Sequence, residues 1–469
     1  MFNVHVRVND AATGKPTPVR LRLTDARGVY RPPLGRLASF ATAPGVDVGD
    51  QVRLDGANYA FIDGTCEVPL PAGLVTVLIS KGPEYRPVEQ TVPLAAGQMA
   101  LRFTIERWTD WRADGWHAGD IRSHDLTPHS ALLEGAAEGL GVVQLLARER
   151  PGSMRNMSAF SGTAPALASP ECLVVVNTFN VHSALGSVAL LNCHRPVYPL
   201  SSGAPGPDDW SVADWCDQCH RKKGLVVWCE PGARDGEALA SMLLGKIDAY
   251  ELTSFADCDP YYRLLACGLR PTLVGGSGKE SNVVPLGRVR TYARLVDGAD
   301  LGATTWIEAV RAGRTCVTSG PLLSLRVAGR DPGGVVLAEK GGSISLRAEV
   351  TSAVPFDSLE ILAGGEVIAT TTGDRSATLE VEYRPERSTW IAARCAGSAH
   401  TSPVWIDVPG CPLRPEPETV APLLARLDES LAYVADARCP SEKHREHYYS
   451  VLRSARESLL ARTQGGEPC

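Results

Sequence analysis

The chain has 469 residues, of which 44% are hydrophobic and 21% are charged, and its formal net charge is −6. This composition is typical of a globular protein, and the length predicts roughly three or four domains. The small negative charge argues against nucleic acid or an anionic membrane as a partner, and no apolar run approaches the roughly 20 residues that span a bilayer. The N-terminus alternates like a strand and lacks a signal-peptide core, so we expect a cytoplasmic protein. The 13 cysteines show no framework spacing, which favours reduced, buried thiols.

Residues 1–108 are predicted to form an all-β domain. Hydrophobic side chains alternate with polar ones in residues 2–8 and 19–23. Residues 66–79, in which a Pro-Ala-Gly turn precedes an apolar strand, resemble small transthyretin-like sandwiches. The segment therefore predicts an N-terminal β-sandwich, and we expect the loop at residues 81–85 to contact the next domain.

Residues 109–320 alternate between apolar strands and helices, which is typical of parallel βα units. A first helix is predicted after Thr127, a candidate N-cap, with Pro128 at the first helical position. Later helices are predicted at residues 210–223, capped by Asp208 or Asp209, and at residues 236–244, 261–267 and 306–312. Strands are predicted at residues 142–146, 173–176, 188–191, 225–228, 247–252 and 271–274. This alternation predicts a small α/β barrel.

The last part of the chain is predicted to add two further units. Residues 321–408 contain short strands separated by glycine turns, which predicts a second β-sandwich. In residues 409–469, Leu423, Leu427 and Val434 lie on one helical stripe, and Tyr448 and Leu452 lie on another. Two such helices predict a hairpin that packs on the body or makes a homo-oligomer.

A polar segment follows the first predicted strand of the α/β region. Asp120, Arg122, His124, Asp125 and His129 lie within ten residues, directly before or within the first helix. In α/β enzymes, ligands bind at the loops that follow the strands. The segment is therefore the first candidate for a functional site.

The segment from Trp116 to His124 resembles the first motif of the polymerase and histidinol phosphatase (PHP) superfamily, in its CehA/McbA branch of carbaryl-hydrolase-like proteins. That branch opens with W-x-x-G-D-x-H-x-H, and this chain has W-H-A-G-D-I-R-S-H, with Arg122 in place of the first histidine. Residues 318–321, Thr-Ser-Gly-Pro, resemble the T-x-G-P segment that leads into the second β-domain of the branch. The resemblance implies a PHP-like irregular (β/α)7 barrel between the two sandwiches.

The resemblance also implies a site for divalent metal at the carboxyl ends of the strands. The positions that match or approach the family's metal ligands are His124, His182, Glu251, Glu230 and Glu280. Asp120, Arg122 and Lys279 are the candidate catalytic residues, and His129, Asn177, His194 and Ser277 are the candidate substrate-binding residues. We expect these groups to converge, with His124, His182, Glu230, Glu251 and Lys279 around one cleft and Arg122 at its floor.

Two functions fit this pattern. In the first, the protein is a Mn, Mg or Zn hydrolase that acts on a small ester, phosphoester or amide-like bond through an altered ligand set. In the second, the metal is lost, and the cleft binds a small molecule or anion through Arg122, Lys279 and Arg148. Because arginine stays protonated and does not ligate metals, the second function predicts a salt bridge from Arg122 to Glu251, Glu230 or Asp120.

Two further glycine- or cysteine-rich motifs are weaker signals. The segment at residues 275–281, Gly-Gly-Ser-Gly-Lys-Glu-Ser, lacks the spacing of a nucleotide-triphosphate loop, although its amides are a candidate anion cradle beside Lys279. Cys216, Cys219 and His220 form a C-x-x-C-H motif inside a continuous helical pattern. A zinc site there would need a second pair of ligands, for which Cys193 and His194 are the candidates, so a buried helix face is the favoured interpretation.

Overall fold

The computed structural model is a mixed α/β protein and describes residues 1–46, 48–150, 152–232 and 234–464. Its N-terminal part consists of strands that form two sheets, in the orders β5-β1-β8 and β3-β4-β2-β6-β7. The strands are β1 (Phe2–Asp10), β2 (Val19–Asp25), β3 (Gln51–Leu54), β4 (Ala57–Ile62), β5 (Thr65–Leu70), β6 (Gly73–Ser80), β7 (Val88–Leu94) and β8 (Ala100–Ile105). Val4 and Val6 share one core with Leu21 and Val77 of the other sheet, so the arrangement is sandwich-like, as alternation along β1 and β2 predicts.

The central part alternates strands and helices. Its elements are β9 (Trp116–Ser123), α1 (Pro128–Ala137), β10 (Val142–Arg150), β11 (Ser153–Arg155), β12 (Leu167–Ala168), β13 (Leu173–His182), β14 (Gly186–Leu191), β15 (Ser201–Ser202), α2 (Val212–Arg221), β16 (Leu225–Cys229), α3 (Gly236–Leu243), β17 (Ala249–Glu251), α4 (Asp259–Ala266), β18 (Thr272–Val274), β19 (Arg290–Arg294), α5 (Ala303–Arg311) and β20 (Thr315–Thr318). Short 3₁₀ helices cover Trp111–Asp114 and Met157–Ala159.

The central strands are not uniformly parallel. β9, β10 and β13 are parallel neighbours, and so are β16, β17 and β18. Between them, β14 pairs antiparallel with both β13 and β16, and β19 pairs antiparallel with β9 and β20. The antiparallel β14 departs from the predicted parallel units because only residues 183–185 connect it to β13, and a parallel crossover needs a dozen residues or more. The carboxyl ends of the parallel strands nevertheless share one edge, which carries the candidate site.

Helix α1 begins as the sequence predicts, whereas α2 does not. Thr127 is the N-cap of α1, and its hydroxyl accepts a hydrogen bond from the Ser130 amide. Ser211, rather than Asp208 or Asp209, caps α2 and forms a capping box with Asp214. The correction has a physical reason, because a hydroxyl followed three residues later by a carboxylate satisfies two amides reciprocally.

The C-terminal part contains β21 (Leu322–Val327), β22 (Val335–Leu337), β23 (Ile344–Thr351), β24 (Leu359–Ala363), β25 (Glu366–Thr371), β26 (Ser376–Tyr383), β27 (Thr389–Cys395), β28 (Ala399–Thr401), β29 (Val404–Asp407), α6 (Pro417–Asp436) and α7 (Glu442–Gln464). The sheet β21-β23-β26 shares a core with the remaining strands of this part, which is again sandwich-like. The last five residues of the predicted helical tail, 465–469, lie outside the described range. None of the described helices is both long enough and apolar enough to cross a bilayer.

Helices α6 and α7 pack on the body of the protein through α3. Arg426 of α6 forms an ion pair with Asp235 at 2.8 Å, and a Cβ atom at Gly236 would lie only 2.0 Å from the Ser430 hydroxyl. Leu427 and Leu452, one from each predicted stripe, are fully buried. The predicted hairpin is therefore present and takes the first of its two predicted positions; an oligomer built from it stays a prediction.

The N-terminal sandwich contacts the central part through the loop that the sequence singled out. Lys81 is buried, and its Nζ atom donates to the backbone oxygen of Ala136 at 2.9 Å and to the Glu171 carboxylate at 2.7 Å. Ala136 lies in the last turn of α1, and its carbonyl oxygen also accepts from the Gly139 amide at 3.1 Å. A buried cation at a helix C-terminus interacts favourably with these carbonyl oxygens and holds the N-terminal sheets against α1.

Candidate functional site

Arg122 lies at the carboxyl end of β9 and joins two glutamates from other strand ends. Its Nε atom donates to both carboxylate oxygens of Glu251, at 2.8 and 3.1 Å, and one terminal nitrogen donates to Glu230 at 2.7 Å. The Glu230 amide also donates to Glu251 at 3.0 Å. We call these three residues the Arg122 cluster. It contains the salt bridge that a metal-free site predicts.

The electrostatics of the Arg122 cluster favour a permanently charged guanidinium. Burial opposes the charge of Arg122, but the carboxylates of Glu251 and Glu230 raise its pKa above the ordinary value. Glu251 is almost fully buried, whereas the side chain of Glu230 is 54% exposed. Glu230 is therefore the member of the cluster that a molecule in solvent can reach.

Asp120 holds the glycine-rich turn against β9. One of its carboxylate oxygens accepts from the amides of Arg122 and Ser277, at 3.1 and 3.0 Å, and the other accepts from the Gly287 amide at 2.9 Å. Burial raises the pKa of Asp120, and these amide donors oppose the shift. With both oxygens engaged by backbone, Asp120 is a positioning residue for the turn.

The glycine-rich turn packs against a cation. A Cβ atom at Gly278, which has a φ of +60°, would lie 2.8 Å from a terminal nitrogen of Arg122, and one at Gly276 would lie 2.6 Å from the Arg122 amide. The Ser277 amide in this turn donates a hydrogen bond to the carboxylate of Asp120. The predicted anion cradle is thus filled by the protein's own side chain.

Lys279 was expected beside that cradle and lies elsewhere. Its Nζ atom donates to the backbone oxygens of Val284 and Ser281, at 3.0 and 3.2 Å, and lies 3.4 Å from a carboxylate oxygen of Glu134 in α1. Lys279 and Glu134 are both fully buried. Because Glu134 and these two carbonyl oxygens surround its ammonium group, the Lys279 side chain points towards α1 rather than into the cleft that it was predicted to line.

His124 is buried next to the Arg122 cluster. Its ring meets the edge of Phe179 with 5.0 Å between centroids. Burial lowers the pKa of His124 well below its usual value, and the charges of Arg148 and Arg122 lower it further. The imidazole is therefore neutral at physiological pH.

His182 does not join His124. Its Nδ1 atom accepts from the Ala184 amide at 3.3 Å, and its Nε2 atom lies 3.2 Å from a carboxylate oxygen of Asp208. Its ring contacts Tyr433 of α6 and Tyr448 of α7. We call His182, Asp208 and Tyr433 the hairpin seam. The Ala184 amide occupies Nδ1 and Nε2 faces Asp208, so His182 does not lie with His124 in the one shared site that the sequence predicts.

The reason for this displacement is the length of β13. The sequence predicts a strand that ends at residue 176, but β13 continues to His182. Side chains on opposite faces alternate along a strand, so residues 177 and 182 face opposite ways. Asn177 faces inward, where its amide donates to Gln144 at 2.9 Å, and His182 faces outward.

The remaining predicted residues are dispersed. Glu280 accepts from Arg148 at 3.1 Å, away from the Arg122 cluster. His129 is exposed on α1, and exposed His194 contacts the Lys222 carbonyl at 3.2 Å. Ser277 contributes its amide to Asp120. None of these contacts assembles the predicted substrate-binding set.

A second group of charged side chains lies at the strand ends, and the sequence did not predict that its members come together. Asp125, whose φ is +62°, accepts from Arg148 at 2.5 Å and from Arg150 at 2.6 Å, and Glu280 lies near both arginines. The sequence did contain a signal for this group, because two arginines that are two residues apart on a strand share a face and need acidic partners. The two arginines are balanced by the two carboxylates.

This charged group borders a cavity of about 950 Å³. Its lining includes Phe179, Val181, Tyr198, Leu200 and Met154, together with Arg148 and Arg150. Tyr198 and Met154 expose about half of their surface at its mouth, at 49% and 52%. The cavity has the size of a small-molecule site, and its lining is predominantly apolar with polar groups at the border.

The described residues do not fit the metal that the resemblance implies. Arg122 occupies the space between Glu230 and Glu251, the Nδ1 atom of His182 accepts from the Ala184 amide, and its Nε2 atom faces Asp208. Within residues 1–46, 48–150, 152–232 and 234–464, no group of three or more His, Cys, Asp or Glu side chains is arranged to hold a metal ion. A divalent metal would have to displace a guanidinium that already neutralises the carboxylates.

Comparisons with known proteins add little. No protein-family model and no curated protein matches this chain. Among solved structures, fibronectin(III)-like modules of CbhA from Clostridium thermocellum are similar over 19% of this chain and 99% of theirs, at 19% identity and a TM-score of 0.13. An FMN-binding beta-glucuronidase from Facaelibacterium prausnitzii L2-6 is similar over 87% of this chain and 73% of its own, at 9% identity and a TM-score of 0.18. TM-scores this low support no conclusion about fold or function.

Proposed function

We propose that this protein is a metal-free ligand-binding protein built on a PHP-like (β/α)7 barrel, whose cavity at the strand ends takes a small organic molecule. The observation that carries the metal-free part of the proposal is the salt bridge of Arg122 with Glu251 and Glu230, in which Arg122 stands at the position of a family metal ligand. Arginine carries its charge on a group that cannot coordinate a metal. The guanidinium of Arg122 neutralises the buried carboxylate of Glu251, so this carboxylate can be buried without a metal ion.

The cavity lining supports a largely apolar ligand rather than a strongly charged anion. Arg148 and Arg150 are the nearest cations, but Asp125 and Glu280 already neutralise them. Phe179, Val181 and Leu200 in the cavity wall offer apolar contact instead. We therefore infer a ligand with an apolar body, which displaces water from these side chains and gains the hydrophobic free energy of that contact.

The metal-free part of the proposal is tested by metal titration. We expect the purified protein to retain no stoichiometric divalent metal in elemental analysis and to show no heat of binding with Mn²⁺, Mg²⁺ or Zn²⁺ in calorimetry. Arg122→His restores the family's residue but removes the partner of buried Glu251, so it should lower stability without creating a tight site. Near-stoichiometric metal in the wild type, or tight metal binding by this variant at unchanged stability, would contradict the metal-free proposal and favour the metal-dependent hydrolase.

The ligand-binding part is tested with 1-anilinonaphthalene-8-sulfonate, an aromatic probe whose fluorescence rises in apolar sites. Met154→Ala removes apolar contact at the cavity mouth and should weaken probe binding by roughly fivefold, about 1 kcal/mol. Met99→Ala is the matched control, because Met99 is also exposed, at 74%, but does not line the cavity. Equal affinities for the two variants would contradict binding in this cavity.

A further inference from the structure

Two buried thiols lie in direct contact between the end of β14 and helix α2. Cys193 follows β14, Cys219 lies in α2, and their sulfur atoms are 3.3 Å apart. Their residues are 1% and 0% exposed. A disulfide bond is about 2.05 Å long, so the two sulfurs need to approach each other by only about 1 Å to bond.

The backbone around the pair leaves room for this contact. Gly224, between α2 and β16, lies against both sulfurs: a Cβ atom there would be 2.4 Å from the Cys193 sulfur and 2.5 Å from the Cys219 sulfur. Its φ is not in the left-handed region, so glycine is required here for space rather than for conformation. Any larger residue would separate the two thiols.

The two cysteines lie at the ends of a segment that forms one wall of the cavity. Residues 198–207 and Asp209 line the cavity, and they lie between Cys193 and Cys219 in the chain. A covalent bond between the two sulfurs would therefore close this segment into a loop. Cross-linking a loop of this kind removes conformational freedom from the segment that it encloses.

The two thiols differ in the way that a nucleophile and a resolving thiol differ. The Cys219 thiol donates a hydrogen bond that lowers the pKa of Cys193, which burial opposes and the charges of Lys222 and Arg311 support. Burial raises the pKa of Cys219 well above its usual value. His194, the neighbour of Cys193, is exposed, so the chain reaches solvent one residue from the more acidic thiol.

We propose that Cys193 and Cys219 are a redox-active pair that forms a reversible disulfide with hydrogen peroxide as the oxidant. The Cys193 thiolate attacks one peroxide oxygen, the O–O bond breaks, and the sulfenic acid of Cys193 forms; the leaving hydroxide takes up the proton that the Cys193 thiol released and becomes the first water. The Cys219 sulfur then attacks the Cys193 sulfur, the S–O bond breaks, and a second water leaves with the thiol proton. Overall, two thiols lose two electrons and two protons, and one peroxide becomes two waters.

The experiment counts thiols by mass spectrometry in the full-length wild-type protein. After peroxide treatment and alkylation under denaturing conditions, we expect two fewer alkylated thiols, and dithiothreitol should restore both. Peptide mapping should show one cross-link that the untreated protein lacks, between Cys193 and Cys219. Hydrogen exchange of amides in residues 198–209 should slow several-fold in the oxidised protein, because the cross-link restrains this wall.

Two variants separate this pair from the C-x-x-C pair in α2. Cys219→Ser should abolish the cross-link and leave a sulfenic acid on Cys193 that reacts with dimedone. Cys216→Ser should leave the cross-link intact, because Cys216 is equally buried in the same helix but lies outside the contact between the two sulfurs. A Cys216–Cys219 cross-link, or a peroxide-treated wild type that keeps all its thiols, would overturn the proposal; the wild-type map decides this even if a variant fails to fold.

Discussion

The Arg122 cluster and the hairpin seam are two buried polar networks built from the ends of neighbouring strands. Arg122 and Glu251 lie at the open end of the parallel strands, where their partner Glu230 is exposed to solvent. His182 lies on the other face of β13 and is covered by Tyr433 and Tyr448 of the C-terminal hairpin. The difference shows that polar residues at neighbouring strand ends make two kinds of contact: Arg122 pairs with residues of other strand ends, whereas His182 contacts a docked element. The face of the strand on which the residue lies decides between them.

The largest effect is expected from breaking the Arg122 cluster. Arg122→Met leaves the carboxylate of Glu251 buried without its partner and should cost about 3–5 kcal/mol in unfolding free energy. Urea unfolding monitored by circular dichroism measures the loss. Adding Glu251→Gln removes the stranded charge and should recover much of it.

Arg347→Met is the matched control for that experiment. Arg347 also contacts two carboxylates, those of Glu349 and Glu380, but all three side chains are about half exposed. Solvent screens such pairs, so we expect no measurable loss of stability. Equal losses for the two arginine variants would show that burial does not distinguish the Arg122 cluster from a surface network.

A smaller effect is expected next to the hairpin seam, from Glu237 of α3. Burial raises the pKa of Glu237 from 4.5 to about 7, while the amides of Val212 and Ala213 oppose the shift. A raised carboxyl pKa means that the folded state binds the proton more tightly than the unfolded state. Its contribution to stability is therefore complete below pH 4.5 and is lost as the pH rises to about 7, by about 3 kcal/mol in total.

Glu237→Gln tests this dependence, because a neutral amide keeps the shape of the side chain and an oxygen that can accept from Val212. The variant and the wild type should unfold at the same urea concentration at pH 4, and the variant should become the more stable of the two between pH 5 and 8. A constant difference across this range would mean that Glu237 does not titrate in the folded protein.

The smallest effects are expected at two helix N-caps, Ser211 of α2 and Thr127 of α1. Ser211→Ala removes a buried cap that serves the Asp214 amide and lies 3.3 Å from His447 of α7, and it should cost about 1–2 kcal/mol. Thr127→Ala removes an exposed cap with one amide partner and should cost about 0.5–1 kcal/mol. Unfolding midpoints measure both, and a larger loss for Thr127→Ala would reverse the expected order.

The hairpin and the candidate polar positions were accessible from the sequence because they depend on local periodicity. The apolar stripes through Leu427 and Leu452 predicted the buried faces of α6 and α7, and Thr127 predicted the start of α1. Arg122 stands where the family motif has a histidine, and this difference predicted the salt bridge of Arg122, since a buried arginine needs a carboxylate nearby. These inferences use spacing and charge, which a single sequence contains.

The sequence by itself determined which residue types stand at the strand ends, but the tertiary structure decided which of them meet. His182 left the shared site because β13 runs six residues beyond its predicted end, and Lys279 left it because α1 offers Glu134 as a buried partner. The sequence offered Cys193 only as a candidate neighbour of the C-x-x-C motif, and the fold decided that its sulfur meets that of Cys219, 26 positions away, beside the space that Gly224 leaves. The face of the sheet that a residue takes, the place where a helix docks and the side chains that touch all depend on residues distant in the chain, and no local pattern specifies them.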